Sequence, residues 1–306
     1  MTTPRHDIDY ALAMRLLREA YALGLREVGF SKSGEPFMNP LLNEYIRAAK
    51  DIGYQYIYLA TNGSLASPER IIGAVESGMD SIKFSINGIS PEPYRFIHGA
   101  DGFASVYEHL KFTWRYRKES GKNFRIFVSY VETRYTQEQR EDIYQCFRPY
   151  CDEVLIVAAR NQGGYDPAVD DLLRPAASDV DFNEHFQIPC RQPFCSLTVT
   201  CDGYLQACCL ECQNFLAVED LRNMSLEQAW NSERFRAFRR RHIEGNVAGL
   251  ACENCVRDAN IKPIALNPEL ASDFNPDNMF RDGSVAQRIE DYRRILEQNA
   301  APGEAR

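Results

Sequence analysis

Residues 190–212 read Cys190-Arg-Gln-Pro-Phe-Cys195-Ser-Leu-Thr-Val-Thr-Cys201-Asp-Gly-Tyr-Leu-Gln-Ala-Cys208-Cys209-Leu-Glu-Cys212, and Cys252-Glu-Asn-Cys255 follows after a gap of 39 residues. Eight of the chain's ten cysteines lie in these two stretches; Cys146 and Cys151 stand apart, and residues 1–145 hold none. So many thiols in a chain with no export signal point to metal ligands rather than disulfides. Cys-x-x-Cys is the closest spacing at which two thiolates grip one metal from a tight turn. Leu197 to Ala207, with Asp202-Gly203 at its middle, has the pattern of a hairpin that brings Cys208 towards Cys190. The simplest assignment is one four-thiolate site of Cys190, Cys208, Cys252 and Cys255. A rival set, Cys209, Cys212, Cys252 and Cys255, repeats C-x-x-C as a zinc ribbon does, across a long interval. Thiolate tetrads suit both zinc and iron-sulfur clusters, so spacing alone does not choose the metal.

Upstream of this module the pattern changes to alternation of strand and helix. Helical spacing over Ile8 to Leu23 leads to a short strand at Arg26 to Phe30. A helix from about Pro40 to Asp51, a strand at Tyr54 to Ala60, a helix at Pro68 to Ser77 and a strand at Asp80 to Ile86 come next. Tyr107 to Arg117 is helical, Phe124 to Val131 a strand, Gln137 to Cys146 helical and Glu153 to Ala158 a fifth strand. Such βα repetition predicts an α/β fold with a parallel sheet, open or rolled into a barrel. Turn-rich motifs recur just after the strands: Ser33-Gly34-Glu35-Pro36, Thr61-Asn62-Gly63, Ser85-Ile-Asn-Gly88 and Asn161-Gln-Gly-Gly164. Parallel sheets bind ligands at the carboxyl ends of their strands, so the series predicts one shared pocket.

The predicted organisation is a partial barrel over 1–164, a polar, acidic connection over 165–189, the cysteine module over 190–260, and an extension over 261–306 with one amphipathic helix at Val285 to Leu296. With 306 residues, 44% hydrophobic, the chain has ample material for a core. No run of eighteen apolar residues and no signal-peptide pattern occurs, which predicts a cytoplasmic protein without a membrane partner. A net charge of -8 argues against nucleic acid, and the basic run from Arg234 to Arg241 is read as a solvated helix face.

The cysteine module resembles the SPASM/twitch extension of radical S-adenosylmethionine (radical SAM) enzymes. The resemblance rests on Cys190 before Pro193-Phe194, Asp202-Gly203, Cys208-Cys209, Leu226 to Trp230, a basic helix at Phe235 to Gly245, and Cys252-x-x-Cys255. Intervals of 17, 43 and 2 residues resemble the single-cluster twitch form. They imply one auxiliary 4Fe-4S cluster on Cys190, Cys208, Cys252 and Cys255, with Cys195, Cys201 and Cys212 spare and Cys209 and Cys212 as substitute ligands. The N-terminal half resembles the same superfamily, as a partial (β/α)6-type TIM barrel. Gly34 and Glu35 look like its Gly-Gly-Glu-Pro motif, with Ser33 in place of a glycine, and Asn62 and Ser85 match strand ends that line S-adenosylmethionine. The resemblance implies a 5'-deoxyadenosyl radical that takes hydrogen from a peptide or a sugar or cyclitol, and a reduced flavodoxin- or ferredoxin-like electron donor. Family members also carry C-x-x-x-C-x-x-C after their first barrel strand, holding a catalytic 4Fe-4S cluster. No such motif occurs here. The expectation is that the first strand and cluster loop fall upstream of Met1, through a late start or truncation, and that this chain alone does not cleave S-adenosylmethionine. Two alternatives are a degenerate, non-catalytic barrel and a zinc-stabilised α/β binding protein.

Overall fold

Alternating burial along the strands sets the architecture. The computed structural model describes residues 6–32, 34–136, 139–159, 163, 188–211, 213–257, 259, 261–271 and 284–300. Within them β1 (Glu27–Gly29), β2 (Tyr56–Thr61), β3 (Ser81–Ser85), β4 (Arg125–Glu132) and β5 (Glu153–Ala158) form one parallel sheet in the order of the chain. Each crossover therefore adds a strand at the same edge, as in a barrel. A doubly wound sheet would reverse direction partway. One face is apolar and sealed: Ile57, Leu59, Ile82, Phe84, Ile126 and Val128 are fully or almost fully buried. They pack beneath α2 (Leu42–Ile52), α3 (Pro68–Glu76) and α5 (Phe103–Ser120). The opposite face carries Tyr56, Tyr58, Lys83, Ser85, Phe127 and Ser129, all partly open to solvent. This polar, half-open face is what a barrel interior leaves for a ligand.

An aspartate just before the third and the fifth strand locks the sheet at its amino end. The Asp80 carboxylate accepts from the Ile57 N–H at 2.7 Å and from Lys50 Nζ at 2.6 and 2.9 Å. Asp152 repeats the device, accepting from the Ile126 N–H at 2.7 Å and from Arg117 at 2.6 Å. Burial alone would raise the Asp152 carboxyl, but these donors hold it below the usual carboxylate range.

The cysteine module builds a second, antiparallel sheet from β6 (Thr198–Val199), β7 (Tyr204–Gln206) and β8 (Ala217–Asp220). The expected hairpin is there, with Gly203 at φ 86°, a conformation that favours glycine. The third strand had no counterpart in the sequence reading. Around this sheet lie α7 (Gln192–Cys195), α8 (Leu226–Trp230), α9 (Glu233–Ile243) and α10 (Ala251–Arg257). The solvated-face reading of the basic run needs correction at one residue. Arg239 lies over the rings of Phe235 and Trp230 at 3.8 and 4.0 Å and donates to the carbonyls of Pro193 and Trp230.

Helix α1 (Tyr10–Ala22) belongs to both units. Met14 and Leu17 are buried in the core of the parallel sheet, whereas Leu16 and Ala20 are buried among Leu205, Leu221, Leu226 and Phe235 of the module. Polar contacts reinforce the seam. Glu19 accepts from the Leu226 N–H at 2.8 Å, Arg15 donates to the Leu221 carbonyl, and Lys32 Nζ donates to the Glu211 carbonyl at 2.8 Å. The last helix, α11 (Ser284–Ala300), returns to the barrel, stacking Tyr292 on Phe96 of α4 (Pro91–His98) at 4.3 Å. Helix α4 was not read from the sequence. Helix α6 (Arg140–Phe147) begins later than expected, and no described helix is long and apolar enough to cross a membrane.

Gly88 shows how tightly the loop after β3 meets α4. A Cβ there would lie 2.3 Å from the Tyr94 backbone nitrogen, which has no room to yield. Gly88→Ala is therefore expected to destabilise the chain by about 2 kcal/mol in urea unfolding. Gly34→Ala, where a Cβ meets nothing within 4 Å, should stay within about 0.5 kcal/mol of wild type.

Candidate functional site

The motifs after β1, β2 and β3 converge at the carboxyl edge of the sheet. Glu35 is the hub. Its carboxylate accepts from Thr61 Oγ1 at 2.6 Å, the Asn62 N–H at 2.8 Å and the Phe37 N–H at 3.2 Å, tying the β1 loop to the end of β2. Asn62 takes part through its backbone, because its side-chain oxygen is spent on the Ser64 N–H and hydroxyl at 2.9 and 2.7 Å. Ser85 is half-buried at the end of β3 and accepts from Ser129 Oγ at 3.3 Å. The backbone at Gly34 faces open space, so no described residue demands glycine there. A fixed carboxylate beside bare backbone and a serine hydroxyl suits a ligand with a cationic amine and hydroxyl groups. Ser33 and most of the Asn161 to Gly164 motif lie outside the described residues. Gly163 is described, and it belongs to the second locus.

That locus is a cavity in the cysteine module lined by Cys190, Cys208, Cys252 and Cys255 together. Its remaining walls are largely apolar, including Pro193, Ala207, Leu216, Phe238, Ala251 and Val256. The hairpin register delivers Cys208 at the end of β7, α10 presents Cys252 and Cys255 one turn apart, and Cys190 enters at the head of α7. Of the rival tetrad, Cys209 is exposed and is not part of the cavity wall, and Cys212 lies outside the described residues. Cys195 and Cys201 are exposed as well.

The electrostatics of the cavity fit a cationic occupant. Burial pushes the Cys190 and Cys252 thiols above their ordinary range, and Cys208 is raised by its hydrogen bond to Cys209 and then by burial. Charged thiolates are disfavoured there unless a metal supplies the countercharge. N–H donors are already aimed at sulfur: Leu210 N at 3.4 Å from Cys208 Sγ, and His242 Nε2 at 3.3 Å from Cys252 Sγ. Four thiols with such donors and apolar walls match the ligand chemistry of a four-thiolate cluster. Cys209 takes the opposite course. Its hydrogen bond with Cys208 holds it low, and Lys32 and Lys83 from the barrel side add to this.

Several residues here escaped the sequence reading. Glu211, almost fully buried on the cavity wall, accepts from Gln206 Nε2 at 2.7 Å, the Leu216 N–H at 3.1 Å and the Gln213 N–H, so it shapes the loop that carries Cys208. His242, also fully buried, sits between two cysteines of the set. His98, next to the β3 motif, accepts from the Asn87 N–H at 3.3 Å and stacks on Tyr94 at 4.2 Å.

Comparison with known proteins matches two segments of the chain. The model of the radical SAM superfamily matches residues 2–145, and that of the SPASM iron-sulfur cluster-binding domain matches residues 190–256. A tungsten-containing aldehyde ferredoxin oxidoreductase cofactor-modifying protein of Pyrococcus furiosus is 23% identical over 83% of this chain and 80% of its own length. A probable GTP 3',8-cyclase of Methanothermobacter thermautotrophicus is 33% identical, but the match spans only 33% of this chain and 32% of the cyclase. Among solved structures, anSMEcpe with bound AdoMet and a peptide superposes with a TM-score of 0.58 at 13% identity, over 94% of this chain and 92% of that one. BtrN in complex with AdoMet and 2-DOIA gives 0.52 at 17% identity, over 83% and 81%. Streptococcus suis SuiB bound to its precursor peptide gives 0.57 at 15% identity, over 76% and 60%.

His98 makes the loop after β3 sensitive to acid. Burial, with Arg288 adding, pushes it down to about 4 from an ordinary value of 6.5. The unfolded chain then binds a proton that the folded chain refuses, so the contribution of neutral His98 is complete above about pH 6.5 and is lost as pH falls towards 4. Urea unfolding across this window should show wild type losing about 2 kcal/mol more than His98→Asn.

Proposed function

Because this chain belongs to the radical S-adenosylmethionine superfamily and carries a SPASM iron-sulfur domain, we propose that it forms the barrel and auxiliary-cluster portion of an enzyme that takes hydrogen from a bound substrate. A single auxiliary 4Fe-4S cluster is held by Cys190, Cys208, Cys252 and Cys255. The observation that carries this reading is their convergence on one apolar cavity with N–H donors at two of the sulfurs. S-adenosylmethionine, with a catalytic 4Fe-4S cluster, supplies a 5'-deoxyadenosyl radical when bound.

The chain's own residues prepare the rest. Glu35, held by three donors, presents a carboxylate of fixed orientation to the amine of S-adenosylmethionine. Gly34 lets backbone approach without a side chain, and Ser85 and Asn62 lie at the strand ends that would border the ribose and carboxylate. The half-open face of the sheet, with Tyr58, Lys83 and Phe127, receives the substrate. That substrate is a peptide or a sugar or cyclitol, in keeping with the peptide ligands of anSMEcpe and SuiB and the 2-DOIA bound to BtrN. An auxiliary cluster held by Cys190, Cys208, Cys252 and Cys255 would supply a site able to take an electron from the substrate or to hold it in place, and a reduced flavodoxin- or ferredoxin-like protein in the cytoplasm would be the electron donor.

Residues 1–145 offer no thiolate for a catalytic cluster, so this chain alone is expected to release no 5'-deoxyadenosine from S-adenosylmethionine and dithionite. Anaerobic reconstitution with iron and sulfide should load about four irons per chain, the complement of one four-thiolate cubane cluster. Cys190→Ala, Cys208→Ala, Cys252→Ala or Cys255→Ala should each abolish or sharply reduce loading, and Cys209→Ala should leave it intact. Tight zinc with no iron, or loading lost with Cys209→Ala alone, would contradict the assignment.

A further inference from the structure

The His242 ring lies within hydrogen-bonding distance of two of the four cavity cysteines, Cys190 and Cys252. It lies in the last turn of α9, fully buried, with its ring edge against Phe238 at 4.7 Å. The Cys190 backbone N–H points at its Nδ1 at 3.4 Å, and its Nε2 lies 3.3 Å from Cys252 Sγ. An Nδ1 that faces an N–H donor carries no proton, so the ring proton sits on Nε2 and points at sulfur. From this geometry we infer that His242 is a positioning residue of the auxiliary cluster, which clamps the Cys190 and Cys252 ligands and raises the cluster's reduction potential through an N–H···S hydrogen bond. This inference rests on the reading of Cys190 and Cys252 as cluster ligands.

The physical effect has a definite sign. An added electron increases the negative charge on the cluster and its thiolates. A donor aimed at sulfur stabilises that charge more in the reduced form than in the oxidised one, so the potential rises. Within the apolar walls around Cys252 little solvent screens the interaction. The backbone bond to Nδ1 serves a second purpose. It fixes both tautomer and ring plane, so that the donor cannot rotate off sulfur, and it couples the entry of α7 to the position of α10. A histidine packed for shape alone would need neither contact.

The test compares wild type, His242→Phe and His242→Gln, all reconstituted anaerobically and titrated with mediators under electron paramagnetic resonance. His242→Phe keeps an aromatic ring but has no donor, and it should lower the reduced-to-oxidised ratio about tenfold at a fixed poise, or about 59 mV for a one-electron couple. His242→Gln, which retains an N–H donor, should recover part of that loss. In wild type labelled with 15N-histidine, the reduced cluster should show a nitrogen hyperfine coupling that His242→Phe removes. That label decides the matter alone should the Phe variant fail to hold iron. Equal potentials in all three proteins, with no histidine nitrogen coupling in wild type, overturn the role of His242 and leave the cluster assignment standing. A wild type that takes up no iron overturns both.

Discussion

Helix α1 serves both parts of the protein at once, one face to each. Met14 and Leu17 are buried against the parallel sheet, while Leu16 and Ala20 are buried in the cysteine module. Residues so close in sequence cannot separate, so the module is anchored by the same turn of helix that roofs the barrel. Apolar burial of this kind contributes about 25 cal/mol per Å² removed from water, and polar bonds from Glu19 and Lys32 give the seam its register. Both candidate loci depend on it. The strand-end carboxylate of Glu35 and the cysteine cavity belong to different sheets, and α1 is what makes their relation fixed.

A second constraint is chemical. Thiols resist ionisation when buried, and burial and hydrogen bonding raise Cys190, Cys208 and Cys252 alike. A protein gains nothing by gathering raised thiols round an apolar cavity unless something positively charged occupies it. The N–H groups of Leu210 and His242 already point at sulfur, which is the arrangement a thiolate requires and a thiol does not. Cys209, adjacent in sequence but turned to Lys32 and Lys83, illustrates the contrast within a single dipeptide.

Much of this was legible in the sequence where the local signal was strong. The strand Glu153–Ala158, a short β-branched run, has the boundaries its pattern predicted, and the helix Leu226–Trp230 has those the family resemblance implied, opening in the structure on a Ser225 capping box. The four cysteines were grouped by spacing, and the fold brings them to one cavity. Other features were hidden for identifiable reasons. Helix α4 went unread with Pro91 and Pro93 at its start, although proline is at home in a first helical turn. Strand β8 is four residues long and gains its partners only from the hairpin. Glu211 and His242 carry no pattern of their own: one sits between two cysteines and the other ends a basic run, and only burial distinguishes them. Asn62 gives its backbone N–H to Glu35 while its side-chain oxygen turns back on Ser64, local bonds that its Thr-Asn-Gly motif does not announce.

The central claim is that Cys190, Cys208, Cys252 and Cys255 surround one iron-sulfur cluster. Crystals of the anaerobically reconstituted chain, measured at the iron and zinc absorption edges, test it most directly. Iron anomalous density is expected within the cavity bounded by these four sulfurs, with Cys209 uninvolved. A single zinc peak there, or density bound by Cys209 and Cys212, would contradict it.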